Sequence, residues 1–269
     1  MTAALLQDVK RWPRALWWLI LAGLLFRLLA LAATSTIDCL MDECAYTHLA
    51  ELLAAGDGFQ PHRRHYWPPG YIAFLAAHIR LGAGILGAKL TQVLLSTGLI
   101  PLVFLLARRS AAGISPALCE RAALAAAALV ALDPTLIAFS HYLWSETLFL
   151  PLFTGGLILV LDACRDLSTR RALAAGALLG LACLVKVLPF YLVPLLAVWI
   201  LARAGGSRRG LAVALALTAS TFAVVLPWTL RNTLAYHRVV LIETTLGKNL
   251  VRGNNPQSPY NWDWGFQER

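Results

Sequence analysis

Long apolar stretches separated by short polar breaks dominate the sequence. A helix needs about 20 apolar residues to cross a bilayer, and seven stretches approach that length, so each predicts a transmembrane helix. The fifth and sixth stretches run together around Pro189 and Pro194. The alternation of basic breaks along the chain requires a helical hairpin there, split at Val187–Leu188, and the prolines make it feasible. The approximate limits of the seven stretches are 16–33, 86–107, 117–138, 143–161, 172–187, 188–202 and 211–228.

The main polar interruption, residues 37–70, lies between the first two predicted spans. From Asp42 to Ala55 apolar positions recur at helical spacing and Gly56 is a suitable stop, which predicts an amphipathic helix along the membrane surface. The apolar segment Tyr71–Ile79 is too short to span a bilayer, so we interpret it as a second juxtamembrane helix. Ionisable groups gathered beside membrane spans indicate a functional site. The carboxylates in this stretch are Asp38, Asp42, Glu43, Glu51 and Asp57.

Composition supports a membrane protein. Of the 269 residues, 59% are hydrophobic and 14% are charged, whereas soluble domains carry about 25% charged residues. We therefore predict an all-α polytopic membrane protein with about seven transmembrane helices and two amphipathic juxtamembrane helices in its first external loop. The net charge of +9 is spread over short loops, so it indicates topology and not a nucleic-acid partner.

Breaks rich in arginine alternate with breaks that are not, and this pattern predicts the topology. Seven spans place all these basic breaks on one side, and the positive-inside rule makes that side cytoplasmic. The N-terminus is then cytoplasmic, and the loop 37–70 and the C-terminus are external. We expect a transmembrane core over 1–228 and a short external tail over 229–269. Usage rich in Ala, Leu and Arg suggests a bacterial inner membrane. The basic residues at the breaks are Lys10, Arg11, Arg14, Arg108, Arg109, Arg165, Arg170, Arg171, Arg203, Arg208 and Arg209.

Two features of the chain leave alternatives open. Arg27 lies within the first predicted span, where it either snorkels to the interface or pairs within an active cavity. Cys39 and Cys44 share the polar stretch and could oxidise, but the scatter of the five cysteines favours free thiols.

Several motifs together resemble those of a known family. DECAYTHLAELLAAGDGF followed by YWPPGYIAFLAA resembles the first external loop of the GT-C-type membrane glycosyltransferases, the superfamily of dolichyl-phosphate-mannose-protein mannosyltransferases and aminoarabinose transferases. That loop typically shows an Asp-Glu pair, a Tyr, a surface helix that ends in Gly, and Pro-Pro-Gly. Some relatives have a basic residue directly before the Pro-Pro, where this chain has Trp67. Three later stretches also agree, in the same order along the chain: LDPTLIAFSHYLWSETLFL, GLACLVKVLPF and LPWTLRNTLAYHRVVLIETTLGKNLVRGNNP.

The resemblance implies transfer of a sugar from a polyprenyl-phosphate carrier to an acceptor hydroxyl at the external face. Such a hydroxyl needs a carboxylate to accept its proton. We assign this general-base role to Asp42, with inversion at the anomeric carbon and an orienting role for Glu43. In isolation, an Asp-Glu pair at a helix start is more typical of capping, and the rest of the motif reverses that preference.

The leaving phosphate requires cations. Candidates are Arg63, Arg64, His65, Lys186 and Arg231. Simple alternatives are snorkelling for Lys186, interfacial anchoring for Arg231 and binding of lipid headgroups for the two loop arginines.

Tyr46 and Glu146 complete the predicted site. Tyr46 lies one turn after Asp42 and faces the same side of its helix, and Glu146 is the second acidic residue that the resemblance implies. Asp42, His48, His62 and His65 are residue types that can bind a metal ion, but their spacing matches no known metal-ligand pattern. Some relatives use a divalent ion, so the cofactor stays unknown.

Two other functions compete with sugar transfer. A lipid or small-molecule transporter or flippase would show internal repeats or broken helices at the midplane, and neither is visible in the sequence. An inactive relative that serves as an accessory subunit is favoured by the short C-terminus, and the joint presence of Asp42, Glu43, Glu146 and Lys186 argues against it. The expected partners are the lipid-linked donor and membrane lipids.

Overall fold

A computed structural model describes residues 12–34, 42–59, 67–111 and 113–255. These residues form helices joined by turns, and no strand occurs among them. The helices are α1 (Arg14–Thr34), α2 (Asp42–Ala55), α3 (Pro69–Arg80), α4 (Gly84–Ser110), α5 (Pro116–Leu132), α6 (Pro134–His141), α7 (Glu146–Asp166), α8 (Thr169–Cys183), α9 (Leu188–Arg203), α10 (Arg208–Tyr236) and α11 (Thr245–Asn254).

The long helices coincide with predicted spans. Four helices, α1, α4, α7 and α10, are long and apolar enough to cross a membrane. The predicted span 117–138 is instead the pair α5 and α6, bent by 50°. The run around Pro189 divides as expected, since α8 ends at Cys183 and α9 begins at Leu188. These two helices have only 15 and 16 residues, so the total of seven spans stays a prediction.

Both short helices predicted in the first polar stretch are present. The helix α2 has the predicted limits, and α3 begins at Pro69, where proline fits the first turn of a helix because its missing N–H would be unpaired there. Buried residues of both helices, including Tyr46, Tyr71 and Leu75, pack in one cluster with Phe149 of α7. Their placement at a membrane surface remains a prediction.

The break between α5 and α6 explains the arginine in the first span. Pro134 has no N–H, so the carbonyl of Val130 loses the partner that a continuous helix would supply. The guanidinium of Arg27 takes that place: it donates to the carbonyls of Val130 (3.1 Å) and Ala131 (3.3 Å) and to Ser96 Oγ (2.7 Å). Arg27 is fully buried. It therefore neither snorkels nor lines an active cavity, and both earlier interpretations are wrong.

The helices α8 and α10 approach each other closely through small residues. A Cβ atom on Gly176 would lie 2.4 Å from the carbonyl oxygen of Leu217, and one on Gly180 would lie 2.7 Å from Val224 Cβ. Glycines four residues apart are a common way for membrane helices to bring their backbones together. Only glycine therefore fits at residue 176 without moving α10.

The bundle has two chemically different ends. Glu146 begins α7, and Arg165 and Asp166 end it. A helix of 21 residues is roughly 30 Å long. At the far end Arg109 pairs with Asp162, and Arg171 pairs with Asp166. The starts of α8 and α10 and the end of α9 also carry arginines. Basic residues thus collect at the end of α7 that is remote from Glu146.

The expectation of free thiols is confirmed for three of the described cysteines and is wrong for one. Cys44 is disulfide-bonded, whereas Cys119, Cys164 and Cys183 are free. Cys44 is exposed in the first turn of α2, where another thiol can reach it, and scatter along the sequence carries no information about distance in space. Cys39 lies outside the described residues.

The role of Arg27 can be tested by substitution. Arg27→Met leaves at least two buried carbonyls without a donor, and each such loss costs about 1–3 kcal/mol. We expect the free energy of unfolding to fall by about 3 kcal/mol. It can be measured by tryptophan fluorescence during denaturation in mixed micelles. Arg14→Met, at the exposed start of the same helix, is the matched control. An equal loss of unfolding free energy in both variants would contradict the stabilising role of the Arg27 hydrogen bonds.

Candidate functional site

Four of the predicted site residues come together from separate parts of the chain. Asp42 is the first residue of α2 and Tyr46 follows one turn later. Glu146 begins α7, and Lys186 lies in the turn between α8 and α9. Lys186 Nζ is 2.9 Å from Glu146 Oε1, and both groups interact electrostatically with Asp42. The site therefore contains two carboxylates and one ammonium group.

The environment of Asp42 favours its protonated form. Burial is the main cause that raises the pKa of this carboxyl, and the charge of Glu146 raises it further. Lys186 acts in the opposite direction. A carboxylate with a raised pKa is a stronger base than an exposed aspartate once it is ionised. Asp42 is half-buried, so a substrate hydroxyl can reach it.

Aromatic packing fixes Tyr46 beside Asp42. The Tyr46 ring lies 4.9 Å from the ring of Tyr71 in an edge-to-face arrangement and 5.3 Å from the ring of Trp67. Burial raises the pKa of Tyr46 well above its ordinary value, and a hydrogen bond with Ser145 opposes this. Tyr46 therefore stays a neutral phenol at any physiological pH.

The turn that precedes Glu146 is held by side chains from two other helices. Glu43 Oε1 accepts the N–H of Leu143 at 2.5 Å, and Glu43 is buried. Gln92 of α4 donates a hydrogen bond to the carbonyl of Tyr142 at 2.7 Å and accepts one from the Tyr71 hydroxyl. These bonds satisfy backbone groups left free where α6 ends. Glu43 thus holds the turn that leads into Glu146, and its orienting role in the reaction stays a prediction.

The Pro-Pro-Gly motif holds the other side of the site. The N–H of Gly70 donates to the carbonyl of Leu184 at 2.6 Å. A Cβ atom at residue 70 would lie 2.7 Å from that oxygen, so glycine is required for the approach. Leu184 precedes Lys186 by two residues, and the motif therefore fixes the turn that presents the lysine.

Arg231 makes a different set of contacts. Its guanidinium donates to the carbonyl of Phe59 and to Asn232 Oδ1, and it stacks over the ring of Trp228 at 5.0 Å. These contacts tie the segment after α2 to α10. Arg231 therefore has a structural role. Its contact with the donor phosphate stays a prediction.

One acidic residue near the site was not predicted. Glu243 follows α10, and its charge interacts with Lys186 and with Tyr46. Burial raises the pKa of Glu243, and a hydrogen bond with Thr245 and the charge of Lys186 oppose the rise. The signal in the sequence is weak: Glu243 is only the first carboxylate after the last predicted span.

Other predicted residues lie outside the part of the chain that the structure describes. Arg63, Arg64 and His65 are among them, as is His62. Within the described ranges, no group of three His, Cys, Asp or Glu side chains is arranged to hold a metal ion. His48 is exposed on α2.

Comparison with protein families gives a match over most of the bundle. The family model described as dolichyl-phosphate-mannose-protein mannosyltransferase matches residues 67–230, more than half of the 269-residue chain. The matched range includes the Pro-Pro-Gly motif, Glu146 and Lys186, whereas Asp42 and Tyr46 precede it. No curated protein sequence matches the chain.

The contact between Glu43 and Leu143 predicts the effect of two substitutions. Glu43→Ala leaves a buried N–H without an acceptor, which costs about 1–3 kcal/mol. Glu43→Gln keeps an acceptor oxygen at the same place, so this variant should lose less stability than Glu43→Ala. We expect this order in thermal unfolding of the purified variants. Glu51→Ala, at an exposed position on the same helix, should unfold like the wild type, and an equal loss in both alanine variants would remove the special role of Glu43.

Proposed function

Because the chain belongs to the dolichyl-phosphate-mannose-protein mannosyltransferase family, and is therefore a membrane glycosyltransferase, we propose that it transfers a sugar from a polyprenyl-phosphate carrier to an acceptor hydroxyl. The observation that carries the proposal is the convergence of Asp42, Glu146 and Lys186 at one end of the bundle. A base and a cation within one small site are what this reaction requires.

Asp42 is the general base in this mechanism. The acceptor oxygen attacks the anomeric carbon, its proton passes to the Asp42 carboxylate, and the bond between that carbon and the phosphate oxygen breaks. The electron pair leaves on the phosphate. A single displacement of this kind inverts the anomeric centre. The raised pKa of Asp42 supports the assignment, since burial has made this carboxylate more basic than an exposed one.

Lys186 receives the leaving phosphate. It is 36% exposed and its partner Glu146 is 25% exposed, so the ammonium group is accessible while the pair is formed. An incoming phosphate can share this cation, because a lysine ammonium has three N–H donors. Glu146 holds Lys186 in place, and Tyr46 lines the same space as a neutral hydrogen-bonding group.

The reaction takes place at the external face in this proposal. The arginines at the far end of α7 lie about one bilayer thickness from Glu146. The positive-inside rule assigns that arginine-rich end to the cytoplasm. The same rule gives a cytoplasmic N-terminus, an external first loop and external residues after α10. The usage rich in Ala, Leu and Arg supports a bacterial inner membrane.

Transfer assays on single variants test the proposal. Purified protein in lipid receives radiolabelled polyprenyl-phosphate sugars one at a time, with a membrane extract as the source of acceptor. Asp42→Asn should reduce transfer by at least about 100-fold, since a general base contributes 10²–10⁴-fold. Lys186→Ala should raise the KM for the donor.

Arg170→Ala is the control, because this arginine is exposed at the start of α8, at the other end of the bundle. Normal transfer by Asp42→Asn would remove the base assignment. No transfer from any donor by well-folded wild-type protein would remove the proposed reaction.

The pH dependence of transfer gives a second test. Asp42 acts only when ionised, so activity should fall as the pH drops through its raised pKa, at a pH above the ordinary aspartate value of 3.8. Glu146→Gln removes a charge that raises this pKa and leaves Lys186 free to lower it. The acid limb of kcat/KM should therefore move to lower pH. Glu51→Gln should leave the limb in place, and a shift to higher pH in Glu146→Gln would contradict the electrostatic account.

A further inference from the structure

A pocket of about 360 Å³ has Val187, the residue after Lys186, and Glu243 among its lining residues. One wall is the start of α9, with Val187, Phe190 and Tyr191, and the other is the segment 238–244 that follows α10. Val187 is the neighbour of Lys186, so the pocket adjoins the proposed reaction site. The volume falls at the small end of the range of about 300–1,000 Å³ for small-molecule sites.

The second wall of the pocket is held firmly in place. Three side chains of α10 donate hydrogen bonds to its backbone: Trp228 Nε1 to Ile242 O at 2.8 Å, Asn232 Nδ2 to the same oxygen at 3.3 Å, and Thr229 Oγ1 to Leu241 O at 2.6 Å. Ile242 is buried. These bonds also position the next residue, Glu243, which lines the pocket and interacts electrostatically with Lys186. The wall therefore exists before any ligand binds.

The first wall continues into an apolar surface. Leu188, Tyr191 and Leu195 are 57%, 52% and 65% exposed. Their spacing of three and four residues puts them on one face of α9. In a membrane protein an exposed apolar helix face meets lipid chains. A ligand in this pocket can therefore have an apolar part that extends along α9 into the bilayer.

The charged residues of the pocket wall determine which kind of lipid headgroup can bind. Glu243 is half-buried and lines the pocket, and the only other charged residue on the pocket wall within the described residues, Arg238, is exposed. A carboxylate repels a phosphate but accepts hydrogen bonds from hydroxyl groups. Lys186, by contrast, offers a cation to a phosphate just outside the pocket.

We propose that this pocket binds the neutral, hydroxyl-bearing headgroup of a membrane amphiphile, which is the acceptor in the transfer reaction. The role as acceptor site rests on the proposed function, whereas the binding itself can be measured without turnover. Glu243 accepts hydrogen bonds from the headgroup, and Tyr191 forms the wall where the headgroup joins its apolar chain.

Binding of two amphiphiles to the full chain tests this inference. The protein in phosphatidylcholine nanodiscs is titrated separately with monoglucosyl-diacylglycerol, which is neutral and hydroxylated, and with farnesyl phosphate, which is anionic. Native mass spectrometry measures both affinities. Glu243→Gln and Tyr191→Ala should each weaken binding of the glycolipid about tenfold, because a charge-assisted hydrogen bond or an aromatic contact is lost. Both variants should bind farnesyl phosphate like the wild type, which also shows that they are folded.

Matched controls separate the pocket from its surroundings. Leu195→Ala changes the same exposed face of α9 one turn beyond the pocket, and Glu51→Gln removes a carboxylate elsewhere on the surface; neither should alter glycolipid binding. The inference is overturned if the wild type does not bind the glycolipid, if the pocket variants bind it normally, or if they lose farnesyl phosphate instead. Retention of farnesyl phosphate by Lys186→Ala would count against the proposed donor site alone.

Discussion

Between Val130 and Ser145 the chain leaves its helical path twice within apolar surroundings, at Asp133 and again after His141. Each break frees backbone groups that apolar neighbours cannot satisfy, and a buried unpaired group costs several kcal/mol where no water is available. Side chains from distant parts of the sequence supply the missing partners. Arg27 serves the first break, and Gln92 and Glu43 serve the second.

The candidate site is a consequence of these bonds. Glu43 precedes Cys44 on α2 and follows Asp42 directly, so the bond from Leu143 to Glu43 brings the start of α2 against the turn that leads into α7. Asp42 and Glu146 are neighbours for this reason. On the other side, the Pro-Pro-Gly motif holds the end of α8 and with it Lys186. Residues that carry no chemistry thus determine where the reactive groups stand.

Hydrophobic periodicity was sufficient to predict the limits of α2, because they depend on local spacing. The division between α8 and α9 was predicted from the alternation of basic breaks along the chain, and the prolines made it feasible. Asp42, Glu146 and Lys186 were also selected from the sequence, since ionisable groups beside apolar spans are rare and the motifs around them resemble those of a family. The structure brings the three together, and their roles stay predictions. The partners of Arg27 could not be predicted, because they depend on which carbonyls a proline 107 residues later leaves free. Glu243 was missed for a similar reason: the return of its segment onto α9 and α10 is a tertiary event with no local signal.

The shortness of α8 and α9 has a consequence for the surrounding lipid. With 15 and 16 residues, each covers about 23 Å, whereas a typical hydrocarbon layer is about 30 Å thick. In the predicted seven-span topology both helices cross the membrane, and local thinning of the bilayer would relieve the mismatch. In that topology the thinned region lies on the predicted external side, beside Lys186 and Tyr191. A lipid there would have its headgroup lowered toward these residues, so the membrane itself would shorten the path that a lipid-borne substrate must travel.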